Sequence, residues 1–196
     1  ESVIRRLRDS QEPDGYIGVF KPEDRGGKLW DLHEAAYLVV GLTSDYLFHD
    51  ERESLQAAEK LMAYVIRQIN EDTLEAFERH GITFINATIG LDNAFRGLFK
   101  ATGNREYLDH WHRCTRLKEW DWPIQMNLAG HAYTYMSLCL EQLELYRITG
   151  DPALLKQSHR VLQFLLAEDG MVITGGTSHL ERWTDNQIGE HALAET

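Results

Sequence analysis

The sequence contains little cysteine, no excess of basic residues and no long apolar run, and each of these absences excludes a class of protein. Its two cysteines, Cys114 and Cys139, lie far apart in predicted helices, so neither a disulfide framework nor a metal-binding thiolate pair is expected. We interpret both as buried free thiols. No apolar run approaches the roughly 18 residues that a membrane span requires. The net charge of −11 opposes binding to nucleic acid or to anionic membranes, but it does not exclude neutral ligands such as sugars.

Several short catalytic and binding motifs are also missing. The sequence has no HExxH, no GxSxG, no glycine-rich phosphate loop and no Cys-x-x-Cys, so zincins, serine hydrolases, nucleotide-binding proteins and zinc ribbons have no support. The opening stretch "ESVIRRLRDS" has neither an initiating Met nor the apolar centre of a signal peptide. We therefore expect a trimmed N-terminus, which leaves both a cytoplasmic and an exported location open.

The sequence does contain pairs of helices with different burial patterns. Residues 129–149 carry apolar side chains on most sides, which predicts an inner helix buried on most sides. Residues 152–169 place most apolar side chains on one face, which predicts an outer, half-exposed helix. Gly150 is expected to end the first helix, with Asp151 as the N-cap and Pro152 as the first residue of the second.

This pair of helices recurs along the chain. The Thr-Gly at Gly103 is displaced by 150 − 103 = 47 residues to Gly150, and a weaker copy covers residues 31–48 and 51–69. Three helical hairpins with a period of about 50 residues are typical of helical toroids and solenoids, so we predict an all-α fold. Residues 12–20 and 168–176 each run from a turn dipeptide into a short β-branched or aromatic stretch, which predicts a small strand or an ordered loop.

Polar residues stand where the inner helices are predicted to begin. In a toroid of hairpins the inner helices run in the same direction, so their first residues gather at one mouth. The residues concerned are His33, Glu34, Asn86, Thr88 and His131. A helix N-terminus lowers the pKa of a nearby histidine and offers free N–H groups, which suits a neutral imidazole bound to a sugar hydroxyl. The alternative is that each histidine only caps its helix or fills a polar gap.

Carboxylates and tryptophans supply further candidates. Glycosidic cleavage needs one carboxylic acid to protonate the leaving oxygen and a second group to attack or to activate water. The candidate acids are Glu181, Glu190 and Glu195, for which an exposed acidic loop is the alternative. Aromatic faces can stack on sugars or anchor loops. The tryptophans in polar loop contexts are Trp30, Trp120, Trp122 and Trp183.

Five segments together resemble the bacterial β-L-arabinofuranosidases of glycoside hydrolase family 127. They are "SQEPDGYIGVF", "LHEAAY", "FRGLFKATGNREYLD", "AGHAYTYMSLCLEQLELYRITGDPALL", and "VITGG" followed by "ET", and they keep the order of the family. The resemblance implies an (α/α)6 toroid with short β-hairpin or loop insertions. Residues 1–196 would then be one domain, the central part of that toroid, truncated at both ends.

The resemblance also implies roles for individual residues. His33 and His131 would hydrogen-bond the sugar, and Thr88 stands where the family has a Gly-His that contacts it. Trp183 is a further substrate-binding candidate because of its aromatic face rather than by resemblance. Glu195 would be a zinc ligand, with the other ligands and the zinc-bound nucleophilic cysteine beyond the chain; the fragment is expected to bind no zinc and to be inactive alone. Glu181 has nearly the family's spacing for the acid/base, and Glu190 is the reserve because it follows a glycine.

These observations predict a glycoside hydrolase that acts on plant or bacterial polysaccharide fragments. Two alternatives remain open: a sugar epimerase or isomerase of the same fold, in which His33 and His131 move a proton, or a non-catalytic helical repeat that binds a protein. The expected partner is a carbohydrate, with neither nucleic acid nor membrane, and a homodimer is left open.

Overall fold

The structure, a computed structural model, describes residues 3–26, 30–69, 90–114 and 132–167. The chain divides into two compact units, Glu1–Cys114 and Thr115–Thr196. The prediction that residues 1–196 form one domain, truncated at both ends, stays a prediction.

The described segments are helical and contain no strand, which confirms the all-α class. In the first unit the helices are α1 (Val3–Asp9), a 3-10 turn (Pro22–Asp24), α2 (Asp31–His49), α3 (Arg52–Gln68), α4 (Leu91–Thr102) and α5 (Arg105–Cys114). In the second unit they are α6 (Ala132–Thr149), a 3-10 turn (Pro152–Leu154) and α7 (Leu155–Ala167). None of these helices is long and apolar enough to cross a membrane.

Three helical hairpins are present, as predicted, and their turns share one geometry. The first helix of each hairpin ends at a residue in the left-handed conformation, namely Asp50, Gly103 or Gly150, with φ of 57°, 69° and 71°. Each of these residues donates its N–H to the carbonyl four positions earlier, at 2.8 Å. The first hairpin uses an aspartate, one of the few side chains that tolerate this conformation, and therefore lacks the Thr-Gly of the other two.

Helix α3, in the weaker copy of the helical pair, buries the apolar side chains of one face. Ala58, Leu61, Met62 and Val65 are all fully buried, which follows from their spacing on one face of the helix. In the third turn the predicted N-cap is confirmed, because Asp151 Oδ1 accepts a hydrogen bond from the N–H of Ala153 at 2.9 Å. The helix after it starts with a 3-10 turn rather than at once as α-helix.

Helices α2 and α4 pack side by side in the same direction. A Cβ built on Gly90 would lie 2.9 Å from Cε2 of Tyr37, and one built on Gly97 would lie 3.3 Å from Cγ2 of Thr43. Residue numbers rise together along both helices, so the two helices are parallel and begin at the same end. A toroid of hairpins requires this of its inner helices; the toroid itself stays a prediction.

Residues 12–20 form an ordered loop, and the alternative of a β-hairpin is wrong here. Two backbone hydrogen bonds of 2.9 Å close the loop on itself, from the N–H of Glu12 to the carbonyl of Tyr16 and from Gly15 to Glu12. These bonds occupy backbone groups that a strand would present to a neighbour. The second predicted strand or loop, at 168–176, lies outside the described residues.

Helix α6 is buried on fewer sides than its composition predicts. Leu138, Glu141, Gln142 and Leu145 are buried and share one face, at the helical spacing i, i+3, i+4, i+7. Leu140, on the opposite side, is 56% exposed. The burial of this helix therefore follows position on the helix rather than apolar character.

The buried face of α7 also differs from the one predicted. Leu154 and Val161 are buried, whereas Leu162 and Leu166 are exposed. Ser158, between the two buried positions, donates a hydrogen bond to the carbonyl of Cys139 at 3.4 Å. The contact face thus runs along Leu154, Ser158 and Val161, and the two later leucines lie outside it.

The prediction of a buried free thiol is confirmed for Cys139. Burial raises the pKa of its thiol to about 12, against a smaller opposing effect of the Ser158 hydroxyl. A thiol with this pKa is a poor nucleophile at neutral pH. The same prediction for Cys114 concerns a side chain that lies outside the described part of the structure.

Candidate functional site

The two parallel helices α2 and α4 begin in the same way. Trp30 is the N-cap of α2 in the left-handed conformation, with φ 70° and ψ −6°, and its carbonyl accepts the N–H of Glu34 at 2.7 Å. Gly90 is the N-cap of α4 with φ 92° and ψ −13°, and its carbonyl accepts the N–H of Ala94 at 2.9 Å. For glycine this conformation costs little, whereas for a tryptophan it costs about 1–2 kcal/mol.

A row of three rings lies along the first two turns of α2. The ring centroids of Trp30 and His33 are 5.2 Å apart, with an interplanar angle of 69°, and those of His33 and Tyr37 are 4.9 Å apart at 51°. Trp30 and Tyr37 are each 40% exposed, and His33 between them is half-buried. Gly41, one turn further on, is exposed, and a Cβ built on it would meet nothing within 4 Å. The row therefore ends in open space.

The start of α2 is fastened to the preceding loop by a buried carboxylate. Asp31 Oδ1 accepts the hydroxyl of Tyr16 at 2.9 Å, and Oδ2 accepts the N–H of Gly26 at 2.7 Å. The Tyr16 hydroxyl in turn accepts the N–H of Phe20 at 3.1 Å. Burial raises the pKa of Tyr16 to about 12, and the neighbouring Asp31 adds to the rise. Both oxygens of Asp31 are thus bonded, and they hold the segment that leads into Trp30.

The ring of Tyr16 is also in contact with a cation. The guanidinium of Arg25 lies 3.7 Å from the centroid of the Tyr16 ring and donates to Glu12 Oε1 at 2.5 Å. The Tyr16 ring also packs against that of Tyr64, with centroids 5.1 Å apart. The loop is therefore fixed by aromatic, cationic and hydrogen-bonding contacts together.

The start of α4 carries a buried carboxylate with fewer bonds. Asp92 Oδ1 accepts the N–H of Asn93 at 2.9 Å, while Oδ2 meets no hydrogen-bond partner within the described part of the chain. Burial raises the pKa of Asp92 to about 6, against the opposing effects of nearby backbone N–H groups and of Arg96. This carboxyl is therefore partly protonated in weakly acidic solution.

Residues 3–26, 30–69, 90–114 and 132–167 contain no group of three or more histidine, cysteine, aspartate or glutamate residues that could hold a metal ion. The expected zinc ligand, Glu195, lies outside these ranges. A zinc site needs about four ligands, so the zinc prediction remains a prediction.

Among the predicted site residues, the structure describes Trp30, His33 and Glu34, which lie together at the start of α2. The others lie outside the described residues: Asn86, Thr88, Trp120, Trp122, His131, Glu181, Trp183, Glu190 and Glu195. The structure therefore does not test whether they gather at one mouth. Sequence reasoning missed Tyr37, although it lies four residues after His33 on the same helix face. It also missed the buried Asp31 and Asp92, whose signal is an aspartate in the first turn of an apolar helix.

The comparison with protein families bears on the whole chain. Residues 1–196 match the family described as β-L-arabinofuranosidase, GH127 catalytic domain. No curated protein and no solved structure matches the chain. The family match covers every residue of the sequence and agrees with the resemblance carried by the five ordered segments. This chain therefore belongs to the GH127 family of β-L-arabinofuranosidase catalytic domains.

Proposed function

We propose that the protein is a glycoside hydrolase that cleaves plant or bacterial polysaccharide fragments and binds its sugar where α2 and α4 begin. Membership of a glycoside hydrolase family supports this proposal. The observation that carries the location is the position of His33, held between the rings of Trp30 and Tyr37 on the first two turns of α2, with the start of α4 beside Tyr37. The β-L-arabinofuranoside is the nearest named substrate, and arabinosyl, galacturonosyl or other linkages remain alternatives.

In this proposal His33 hydrogen-bonds a hydroxyl group of the bound sugar. An imidazole can donate from one nitrogen and accept at the other, which matches the dual character of a hydroxyl. His131, Thr88 and Trp183 would complete the sugar-binding residues. Support for these three comes from the family resemblance and from their places in the sequence.

Glu181 is the proposed acid/base, with Glu190 as the reserve. Such a residue protonates the leaving oxygen and later takes a proton from water, and this contributes about 10²–10⁴-fold to the rate. Glu195 is the proposed zinc ligand among the residues of this chain. Zinc, when bound, would deprotonate a coordinated thiol, and the proposed nucleophilic cysteine lies beyond Thr196.

The test uses the full-length protein and a set of aryl glycosides that includes the β-L-arabinofuranoside. Glu181→Gln is expected to lower kcat at least 100-fold for substrates with a poor leaving group and much less for those with an activated one, because the latter need no proton. Glu53→Gln, on the exposed surface of α3, is the matched control. If Glu181→Gln and Glu190→Gln both leave hydrolysis unchanged, neither is the acid.

The same samples distinguish the alternative functions. Incorporation of solvent deuterium into a free sugar without glycosidic cleavage would instead indicate an epimerase or isomerase. Absence of any turnover, with protein binding unaffected by His33→Ala and His131→Ala together, would indicate a helical-repeat binding protein.

A further inference from the structure

Two neighbouring aromatic side chains of the first unit keep a large exposed surface. Other large aromatic side chains of this unit, among them Tyr16, Phe95 and Trp111, are fully buried. Trp30 and Tyr37 are each 40% exposed although they belong to one row of rings. Exposed aromatic residues that are adjacent and flank a polar side chain are typical of ligand-binding surfaces rather than of core packing.

Both rings are held before any ligand binds. Gly90 sits against Cε2, Cδ2 and Cζ of Tyr37, so close that a Cβ there would come within 2.9 Å. One edge of Tyr37 is thus fixed by the start of α4. The ring of Trp30 packs against that of His33, with the centroids 5.2 Å apart. Rings that are already in place lose little conformational freedom on binding.

The row of rings combines two kinds of contact that a sugar needs. An aromatic face binds the C–H face of a sugar ring by dispersion and by the attraction of C–H groups to the π electrons. The hydroxyl groups at the edge of the sugar need donors and acceptors. His33 lies between the rings, and Glu34 is exposed three residues before Tyr37, within reach of that surface.

We infer that Trp30 and Tyr37 form an aromatic subsite that stacks on the C–H face of a sugar unit of the substrate, while His33 between them engages a hydroxyl group. This inference rests on the proposed glycoside hydrolase function and assigns two binding residues to it. The subsite selects glycosides by shape: sugars that present a contiguous patch of C–H groups to the rings bind, and sugars whose hydroxyl groups interrupt that patch bind weakly.

The experiment compares aromatic and aliphatic replacements in the full-length protein. Trp30→Leu and Tyr37→Leu keep an apolar side chain but remove the ring, whereas Tyr37→Phe keeps the ring and removes only the hydroxyl. Phe48→Leu is the matched control, since Phe48 is on the same helix, is 83% exposed and lies near the other end. The KM and kcat for a hydrolysed glycoside are measured, together with the Kd of the product sugar by calorimetry.

Each leucine variant at positions 30 and 37 is expected to raise KM and Kd about tenfold with little change in kcat, which corresponds to the typical contribution of one aromatic contact. Phe48→Leu is expected to stay within about twofold of the wild type, and Tyr37→Phe, which keeps the ring, is expected to raise KM and Kd less than Tyr37→Leu does. Unchanged KM and Kd in both leucine variants, with an active wild type, would overturn the subsite and leave the hydrolase function standing. An inactive wild type would overturn the hydrolase function instead.

A measurement on the wild type alone covers the case in which a variant does not fold. In an NMR saturation-transfer experiment, magnetisation from the aromatic protons of the protein is expected to transfer to the C–H protons on one face of the bound sugar. Equal transfer to both faces, or none, contradicts the subsite. A concentration-dependent dimer that hides Trp30 and Tyr37 from added sugar would also contradict it, since the row of rings would then serve a second copy of the chain.

Discussion

The ring of Tyr37 on α2 lies against the backbone of Gly90, the residue from which α4 starts. This contact joins two chain segments that are distant in the sequence, and it leaves no room for a side chain at position 90. The same ring contacts that of His33, with centroids 4.9 Å apart.

Gly90→Ala is expected to destabilise the chain by about 2–4 kcal/mol. An alanine at position 90 would have to keep an unfavourable positive φ, and its Cβ would overlap the Tyr37 ring. Gly103→Ala is the matched control, because Gly103 has φ 69° but nothing within 4 Å of an added Cβ, so only the conformational cost of about 1–2 kcal/mol applies. Urea unfolding measures both variants. Equal losses of unfolding free energy in Gly90→Ala and Gly103→Ala would show that the contact with Tyr37 adds nothing to the cost.

Tyr16→Phe is expected to destabilise the protein and Tyr64→Phe is not, although the two rings pack against each other. Tyr16→Phe removes hydrogen bonds to Asp31 and from Phe20, which costs about 1–3 kcal/mol. The Tyr64 hydroxyl is buried and has no hydrogen-bond partner in the described part of the chain. Its removal is therefore expected to be neutral or to stabilise by up to about 1 kcal/mol. Thermal or urea unfolding gives both values, and a larger loss for Tyr64→Phe would contradict the assignment.

Asp92 is expected to make stability fall as the pH rises. Its folded pKa of about 6 lies above the ordinary value of 3.8, so the folded state binds the proton more tightly than the unfolded state does. The loss of unfolding free energy caused by ionising Asp92 is small below pH 4 and grows between pH 4 and pH 6. Above pH 6 it approaches its full value of roughly 3 kcal/mol. Relative to wild type, Asp92→Asn should gain roughly 2 kcal/mol on going from pH 4 to pH 7.5.

The control for this prediction is Glu34→Gln, which removes an exposed carboxylate from α2. The free energy of unfolding in urea is compared at the two pH values for all three proteins. A constant difference between wild type and Asp92→Asn would mean that Asp92 has an ordinary pKa in the folded protein.

Cys139 is expected to react with thiol reagents only when the protein unfolds. A pKa of about 12 instead of 9.0 lowers the thiolate fraction at pH 8 roughly a thousandfold, and burial restricts access further. Labelling of the peptide that contains Cys139 is followed by mass spectrometry, with and without urea, so that other thiols do not interfere. Rapid labelling of the folded protein would contradict the buried position.

The hairpins were predictable because their signals are local. Helical periodicity and the Thr-Gly turns are written in neighbouring residues, and Gly103, Gly150 and Asp151 adopt the roles that those patterns predict. The exposed side of α6 was not predictable, since leucines on both sides of a helix do not reveal which side packs. Burial of Glu141 and Gln142 beside an exposed Leu140 depends on the partner of the helix.

The candidate site was only partly predictable for the same reason. His33 stood out as a histidine at the start of an apolar helix. The left-handed conformation of Trp30 has no sequence signal, because this conformation usually indicates glycine or asparagine. The role of Tyr37 depends on Gly90, and nothing in either segment indicates that they meet.

The matched contacts of Gly90 with Tyr37 and of Gly97 with Thr43 have a practical consequence for recombination between related genes. Each glycine and its partner form a pair that must be inherited together, because a larger residue at 90 or 97 from one parent would collide with the tyrosine or threonine of another. Chimeric libraries should therefore place crossovers before α2 or after α4. Crossovers between the two helices would separate the members of these pairs, and we expect the resulting progeny to be less stable.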